Sequence, residues 1–314
     1  VISCGLLALA LAFLAGCATV PPGASRMRGE VPGYSVIPLV RGPQNHIFLR
    51  ARINSRPATV LLDTGSPVTC VDESQKRRFK LEPFAGSDTV PSQVIANGEV
   101  RDVTMLSSLQ LGILEITGVP AVLIDMRDVN QRFGVHRGDA ILGSDILLAR
   151  KAVVDYPGLR LFLRVSEAAR GKLGPRLLAR GWVACPMTMD QGHFVVTGSV
   201  DGRPLKFIVD TGAFGTALDR SFCTRNRLPL KTVRDLHSGG IGYSEKRTQI
   251  TEVKLLRIGE FEIRNHVVGA IGLFELFGER PPTGTPVAAL LGADILGKHK
   301  AAIDCEAMQL YLKP

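Results

Sequence analysis

His46-Ile-Phe-Leu-Arg-Ala-Arg-Ile-Asn-Ser-Arg56-Pro57-Ala-Thr-Val-Leu-Leu-Asp63-Thr64-Gly65-Ser66 returns further along the chain as His193-Phe-Val-Val-Thr-Gly-Ser-Val-Asp-Gly-Arg203-Pro204-Leu-Lys-Phe-Ile-Val-Asp210-Thr211-Gly212-Ala213. The histidines, the Arg-Pro pairs and the aspartates all keep an offset of 147 residues. A second match follows each copy at an offset of 149. Ala140-Ile141-Leu142-Gly143-Ser-Asp145-Ile-Leu147 pairs with Ala289-Leu290-Leu291-Gly292-Ala-Asp294-Ile-Leu296, and Lys151-Ala-Val-Val-Asp155 with Lys300-Ala-Ala-Ile-Asp304. One long period of this kind describes two similar domains, not a solenoid of short units.

The length agrees. A chain of 314 residues accommodates two domains, each large enough to bury its own core. Hydrophobic residues make up 45% of the chain, and 33 Gly and 19 Pro break it into short runs rich in Val, Ile, Leu and Thr. That composition predicts a mainly β protein. Each copy opens with a hairpin: Ile47 to Ile53 and Thr59 to Leu62 around Asn54-Ser55-Arg56-Pro57, then Phe194 to Val200 and Leu205 to Val209 around Asp201-Gly202-Arg203-Pro204. Each aspartate therefore emerges where a buried strand meets a turn. Short helical stretches are expected at Asp72 to Phe79 and Asp219 to Arg225, and Arg127 to Gly138 reads as a surface insertion.

The paired Asp-Thr-Gly triplets, each after an apolar strand and followed later by apolar-apolar-Gly, resemble the aspartic peptidase superfamily and, within it, the retropepsin-like aspartyl proteases of bacteria. The resemblance implies two β-barrel lobes related by a pseudo-two-fold axis, as in pepsin. It implies a catalytic dyad of Asp63 and Asp210 acting on a peptide or protein, supported by Thr64, Gly65 and Ser66 and by Thr211, Gly212 and Ala213. The threonines are expected to hydrogen-bond across the interface, and the glycines to let the backbone approach the carboxylates. Ser66 is expected to donate a hydrogen bond to Asp63 that Ala213 cannot give Asp210. Ile141-Leu142-Gly143 and Leu290-Leu291-Gly292 are expected to pack beneath these loops. Asn97 and Gly98 in one copy and Gly239, Gly240 and Tyr243 in the other are candidate flap residues by position. The other function class the same cleft allows is a pseudo-peptidase that binds peptide or envelope polymer without cutting.

His46 and His193 share a repeat position, but a structurally satisfied histidine is the reading adopted, and both stay outside the expected site. Asp145 and Asp294 are expected to cap the helical turns that follow them.

The first residues break the β pattern. Val1 to Gly16 is almost wholly apolar or small and leads to Leu14-Ala15-Gly16-Cys17. The run is too short to span a bilayer comfortably, so a secretion signal is expected, with a buried apolar helix as the alternative. Leu-Ala-Gly-Cys resembles the lipobox of bacterial lipoproteins, which makes Cys17 the acylation site. With Ala18 after the Cys, the resemblance implies a lipid anchor in the outer membrane, facing the periplasm. The expected organisation is then 1–17 signal, 18–33 tether, 34–165 first lobe, 166–180 linker and 181–314 second lobe, as a monomer with an intramolecular pseudo-dimer.

An envelope protein sits in an oxidising compartment, so Cys185 and Cys305 form either a bridge or two small buried apolar side chains. No metal-ligand spacing occurs, and no cofactor is expected. The formal charge of +9 is spread along the chain without an aromatic-rich basic stripe, which points away from nucleic acid.

Overall fold

The computed structural model describes residues 18–19, 31–96, 99–166, 173–238, 246–273 and 285–314. The chain is mainly β, and its two copies are built alike. In the first, strands Ile47–Ile53 and Arg56–Leu62 pair antiparallel, with Ile53 opposite Arg56. Asn54 and Ser55 turn the chain with φ of 48° and 65°, the two left-handed residues that a two-residue hairpin turn needs. In the second, His193–Val200 pairs with Arg203–Val209 around Asp201 and Gly202. Arg56-Pro57 and Arg203-Pro204 thus begin the return strands, where the sequence places them in the loops.

Alternation along Ile47–Ile53 puts Ile47, Leu49, Ala51 and Ile53 in the main core. Phe48 faces the other way, into a smaller cluster with Leu61, Ile141 and Phe133. Both sheet faces are therefore covered near the aspartate. Phe133 belongs to a helix, Arg127–Phe133, whose Asn130 is also buried and bonds both the N–H and the C=O of Gly138. The segment read as a surface insertion is in part a lid on this second cluster, because Phe133 supplies an apolar face that alternation counts miss in so short a helix.

Each aspartate-bearing loop joins two strands that flank a third. Arg56–Leu62 runs parallel to Ala140–Leu142, which pairs on its other side with Cys70–Asp72. The second copy repeats this with Arg203–Val209, Val287–Leu291 and Ala217–Asp219. The loop must arch over the end of the central strand. At that crossing a Cβ on Gly143 would lie 2.5 Å from the Val68 carbonyl carbon, and one on Gly292 2.4 Å from that of Gly215. Apolar-apolar-Gly is thus a buried strand ending where only a bare backbone fits.

The copies merge in a six-stranded antiparallel sheet, in the order Tyr34–Arg41, Arg160–Arg164, Val153–Asp155, Ala302–Asp304, Gln309–Leu312 and Val183–Asp190. Its centre pairs Val154 with Ile303, so the pseudo-two-fold axis passes between matched residues. One apolar cluster runs from Ile37 to Leu312 through this sheet. Cys185 and Cys305 are free and buried. Of the two readings left open for them, the buried small apolar one applies. Leu173–Leu178 forms a short helix between the copies, and Ala18–Thr19 pairs with Glu115 and Ile116. Among the described residues, no helix is long and apolar enough to cross a membrane.

Candidate active site

Asp63 and Asp210 leave their strands at matching points: Asp63 N–H donates to Leu142 O (3.1 Å) and Asp210 N–H to Leu291 O (3.0 Å). Their carboxyl groups meet across the interface and share a hydrogen bond. Backbone donors fix each one. Asp63 Oδ1 accepts from Gly65 N–H (2.8 Å) and Ser66 N–H (3.2 Å), and Asp210 Oδ1 from Gly212 N–H (2.8 Å) and Ala213 N–H (2.9 Å). The expected Ser66–Ala213 asymmetry does not arise. The donor to Asp63 is the Ser66 backbone, while its hydroxyl turns away to Val68 O (2.7 Å). A tight turn offers its N–H groups whatever the side chain, so alanine serves equally.

Thr64 and Thr211 lock the interface. Each is fully buried. Thr64 Oγ1 donates to Val209 O (2.6 Å) and accepts from Thr211 N–H (3.0 Å); Thr211 Oγ1 donates to Leu62 O (2.7 Å) and accepts from Thr64 N–H (3.0 Å). Each hydroxyl thus makes both of its bonds to the other lobe. The glycines behind them complete the approach, for a Cβ on Gly65 would stand 2.4 Å from Asp210 Cγ, and one on Gly212 2.4 Å from Asp63 Cγ.

Burial and charge set the titration of the pair. Burial raises Asp63, against the hydrogen bonds it receives from Asp210, Gly65 and Ser66 and the charge of His46. Burial, the Asp63 charge and the shared hydrogen bond all act upward on Asp210, which is raised well above the usual carboxylate range. Two half-buried carboxyls in contact cannot both ionise readily, so the pair holds one proton over a wide pH range.

Asp145 and Asp294 do not act as N-caps, a place held by Gly143 and Gly292. They brace the aspartate loops instead. Asp145 accepts from Thr69 N–H (2.9 Å) and Oγ1 (2.8 Å), and Asp294 from Thr216 N–H (2.9 Å) and Oγ1 (2.8 Å). Burial pushes Asp145 up to about 6. Burial also acts upward on Asp294, but hydrogen bonds from His266 (3.2 Å) and Thr216 outweigh it and the net shift is down.

The comparisons agree with this geometry. The family model for aspartyl proteases matches residues 49–146 and again 196–295. The chain belongs to the aspartyl protease family. Each match to the family holds one Asp-Thr-Gly and one apolar-apolar-Gly, the elements that cross in each lobe. A comparison with curated proteins found no match.

In this aspartyl protease family member His46 and His193, read from the sequence as structural histidines, hydrogen-bond backbone as that reading expects; what the sequence did not show is which backbone. His46 Nε2 lies 2.8 Å from Gly212 O, and His193 bonds the backbone of Gly65, so each reaches the other lobe's Asp-Thr-Gly loop. The shared offset was the available signal; the partners lie 166 residues away in one case, beyond any local pattern. Ser144 Oγ adds a further crossing bond to Gly192 O (2.6 Å). Asn97, Gly98, Gly239, Gly240 and Tyr243 lie outside the described residues. The strands flanking Asn97 and Gly98 pair antiparallel with Ile95 opposite Val100, and Ser238 pairs with Lys246. Among the described residues, no group of His, Cys, Asp and Glu is placed to hold a metal ion.

Proposed function

We propose that the protein is an aspartic endopeptidase that hydrolyses peptide bonds with the Asp63–Asp210 pair. What supports the reading most is the shared hydrogen bond between two half-buried carboxyls, each held by two backbone N–H groups. Such a pair keeps one proton and one negative charge together, as is known of aspartic proteases. The ionised member takes a proton from a water as its oxygen bonds to the scissile carbonyl carbon, while the protonated member gives its proton to the carbonyl oxygen. Collapse of the tetrahedral adduct breaks the C–N bond as the proton gained from water passes to the leaving nitrogen, and one hydroxyl of the adduct returns its proton to the dyad as the carbonyl re-forms. No cofactor enters these steps.

Both aspartates come from one chain, so the working unit is a monomer with a single cleft. A digest of a broad peptide library over acidic to neutral pH tests the reading, with Asp63→Asn and Asp210→Asn alongside. Cleavage by the native protein alone supports it. Cleavage that survives either substitution rejects the dyad, and peptide binding with no cleavage at any pH favours the pseudo-peptidase.

Leu14-Ala15-Gly16-Cys17 motivates the second part of the proposal, an envelope protein held by acylation of Cys17. Cys17 lies outside the described residues. Cys17→Ser should move the protein from the membrane to the soluble fraction and abolish acyl labelling. Unchanged fractionation would remove the anchor from the proposal.

A further inference from the structure

His46 and His193 occupy one repeat position and are both buried, but their surroundings demand different protonation. His46 Nδ1 lies 3.0 Å from Pro43 O, and its Nε2 lies 2.8 Å from Gly212 O. Carbonyl oxygens only accept, whereas a neutral imidazole has one N–H and one bare nitrogen. In either neutral tautomer a ring lone pair would face a carbonyl lone pair at hydrogen-bond distance. The imidazolium, with two N–H groups, satisfies both contacts.

The turn before the ring holds that arrangement. Gln44 and Asn45 adopt φ of 55° and 61°, two successive left-handed non-glycine residues that fold the Pro43 carbonyl back onto the His46 ring. In the second copy Asp190 stands in the place of Pro43, and its carboxylate is taken by Lys206 Nζ at 3.2 Å. His193 makes its bond to the backbone of Gly65, and burial lowers its pKa to about 4, so its ring is neutral above that pH.

The two rings therefore load the dyad unequally. The glycine that His46 holds, Gly212, is the one packed against the Asp63 carboxyl, and the glycine that His193 holds, Gly65, is packed against that of Asp210. With both carbonyl contacts satisfied, the His46 ring puts its charge one residue's thickness from Asp63. A neutral ring stands in the matching place beside Asp210.

We propose that His46 is a positioning residue that gives the dyad its direction: its imidazolium, held between Pro43 and Gly212, keeps Asp63 as the carboxylate that accepts the proton of water and leaves Asp210 as the acid. The catalytic roles rest on the endopeptidase reading; the placing of the proton does not. Other charged or titratable groups on the elements around the ring are Arg41 on the preceding strand, Asp294 and Lys298 on the helix packed against Pro43–Asn45, and Arg127, Asp128 and Arg132 on the helix that carries Phe133. His136 follows Phe133, which meets the His46 ring edge-on at 4.8 Å. Asp294 is engaged by Thr216 and His266, which leaves Asp63 as the anion whose own titration His46 alters.

The test is NMR on the full chain across pH, reading the ring nitrogens of His46 and the Cγ carbons of Asp63 and Asp210, in the native protein and in His46→Gln, His46→Lys and His193→Gln. Expected is a doubly protonated His46 ring wherever the dyad holds one proton, with Asp63 ionising at lower pH than Asp210. His46→Gln should raise the lower of the two dyad constants by about one pH unit, the effect of losing a nearby opposite charge. The acid limb of kcat/KM should move with it, His46→Lys should restore the limb by returning a cation, and His193→Gln should leave its position unmoved. A neutral His46 ring in that pH window overturns the proposal. So does a lower constant that stays put in a folded His46→Gln. Should the native protein cleave nothing while Asp63 ionises first and responds to His46, the proton placement stands and the endopeptidase reading falls.

Discussion

Gly65 of one lobe lies flush against the Asp210 carboxyl of the other, so closely that a methyl group on it would sit 2.4 Å from Asp210 Cγ. Neither Gly65 nor Gly212 has a positive φ, so glycine is required here for space and not for backbone conformation. Gly65→Ala and Gly212→Ala should therefore push the carboxyls apart. The expected result is at least about a hundredfold loss of kcat/KM, the cost of ~1 Å of misplacement, with the chain still folded by circular dichroism. Near-native turnover in either variant would mean that the close approach is dispensable.

Thr64 and Thr211 tie the same loops together through hydroxyls that both donate and accept. Valine keeps the shape but strands a buried carbonyl and a buried N–H. Thr64→Val and Thr211→Val should each cost about 2–6 kcal/mol in denaturant unfolding, at about 1–3 kcal/mol for each group left unpaired. Thr64→Ser should lose far less. The double variant should lose less than the sum, because the two hydroxyls belong to one reciprocal network in which each accepts from the other threonine's N–H. Strict additivity in that cycle would show two independent contacts.

Much of this was legible in the chain, and the reason is the duplication. Asp63 with Asp210 and Thr64 with Thr211 were readable because a motif written twice can be assigned without knowing distances. Gly143 and Gly292 were located as support, but the clash with Val68 and Gly215 that makes them glycine needed the strand crossing. Ser66 and Asp145 were misjudged for one shared reason. Local rules assign a polar side chain to its nearest backbone neighbours, whereas Asp145 bonds Thr69 at a separation of 76 residues, and Ser66 leaves the nearby carboxylate to its own N–H.

The braces Asp145 and Asp294 should respond oppositely to pH. Burial pushes Asp145 up to about 6 from 3.8, so the folded state binds a proton more tightly than the unfolded one. Its contribution to stability is fullest below about pH 4 and is lost as pH rises through about 6, on the order of 3 kcal/mol across that window. Asp294 is held below its usual range, so its contribution is present at neutral pH and is lost as pH falls through the folded-state pKa. Asp145→Asn should flatten a fall in stability between pH 4 and 6, and Asp294→Asn should flatten a rise at lower pH. Denaturant melts across pH 3 to 8 check both, and slopes of the same sign would contradict the assignment.

The dyad itself should cost stability at the pH where both carboxyls are forced to ionise. Asp63 is raised and Asp210 is raised well above the carboxylate range, the latter by burial and then by the charge of Asp63. Folding-linked stability from a raised acid is present at low pH and is lost as pH passes the folded-state value. Asp210→Asn removes the second charge while keeping the shape and the bonds to Gly212 and Ala213. Above neutral pH this variant should be more stable than the native protein by about 1–2 kcal/mol, read as a Tm higher by several degrees. In acid the two should converge, because the native pair is then fully protonated. The native protein's activity should follow a bell whose alkaline limb lies above the ordinary carboxylate range, since losing the second proton ends the acid role. An alkaline limb inside that range, or an Asp210→Asn protein that is less stable at high pH, would show that the two carboxyls do not share a proton.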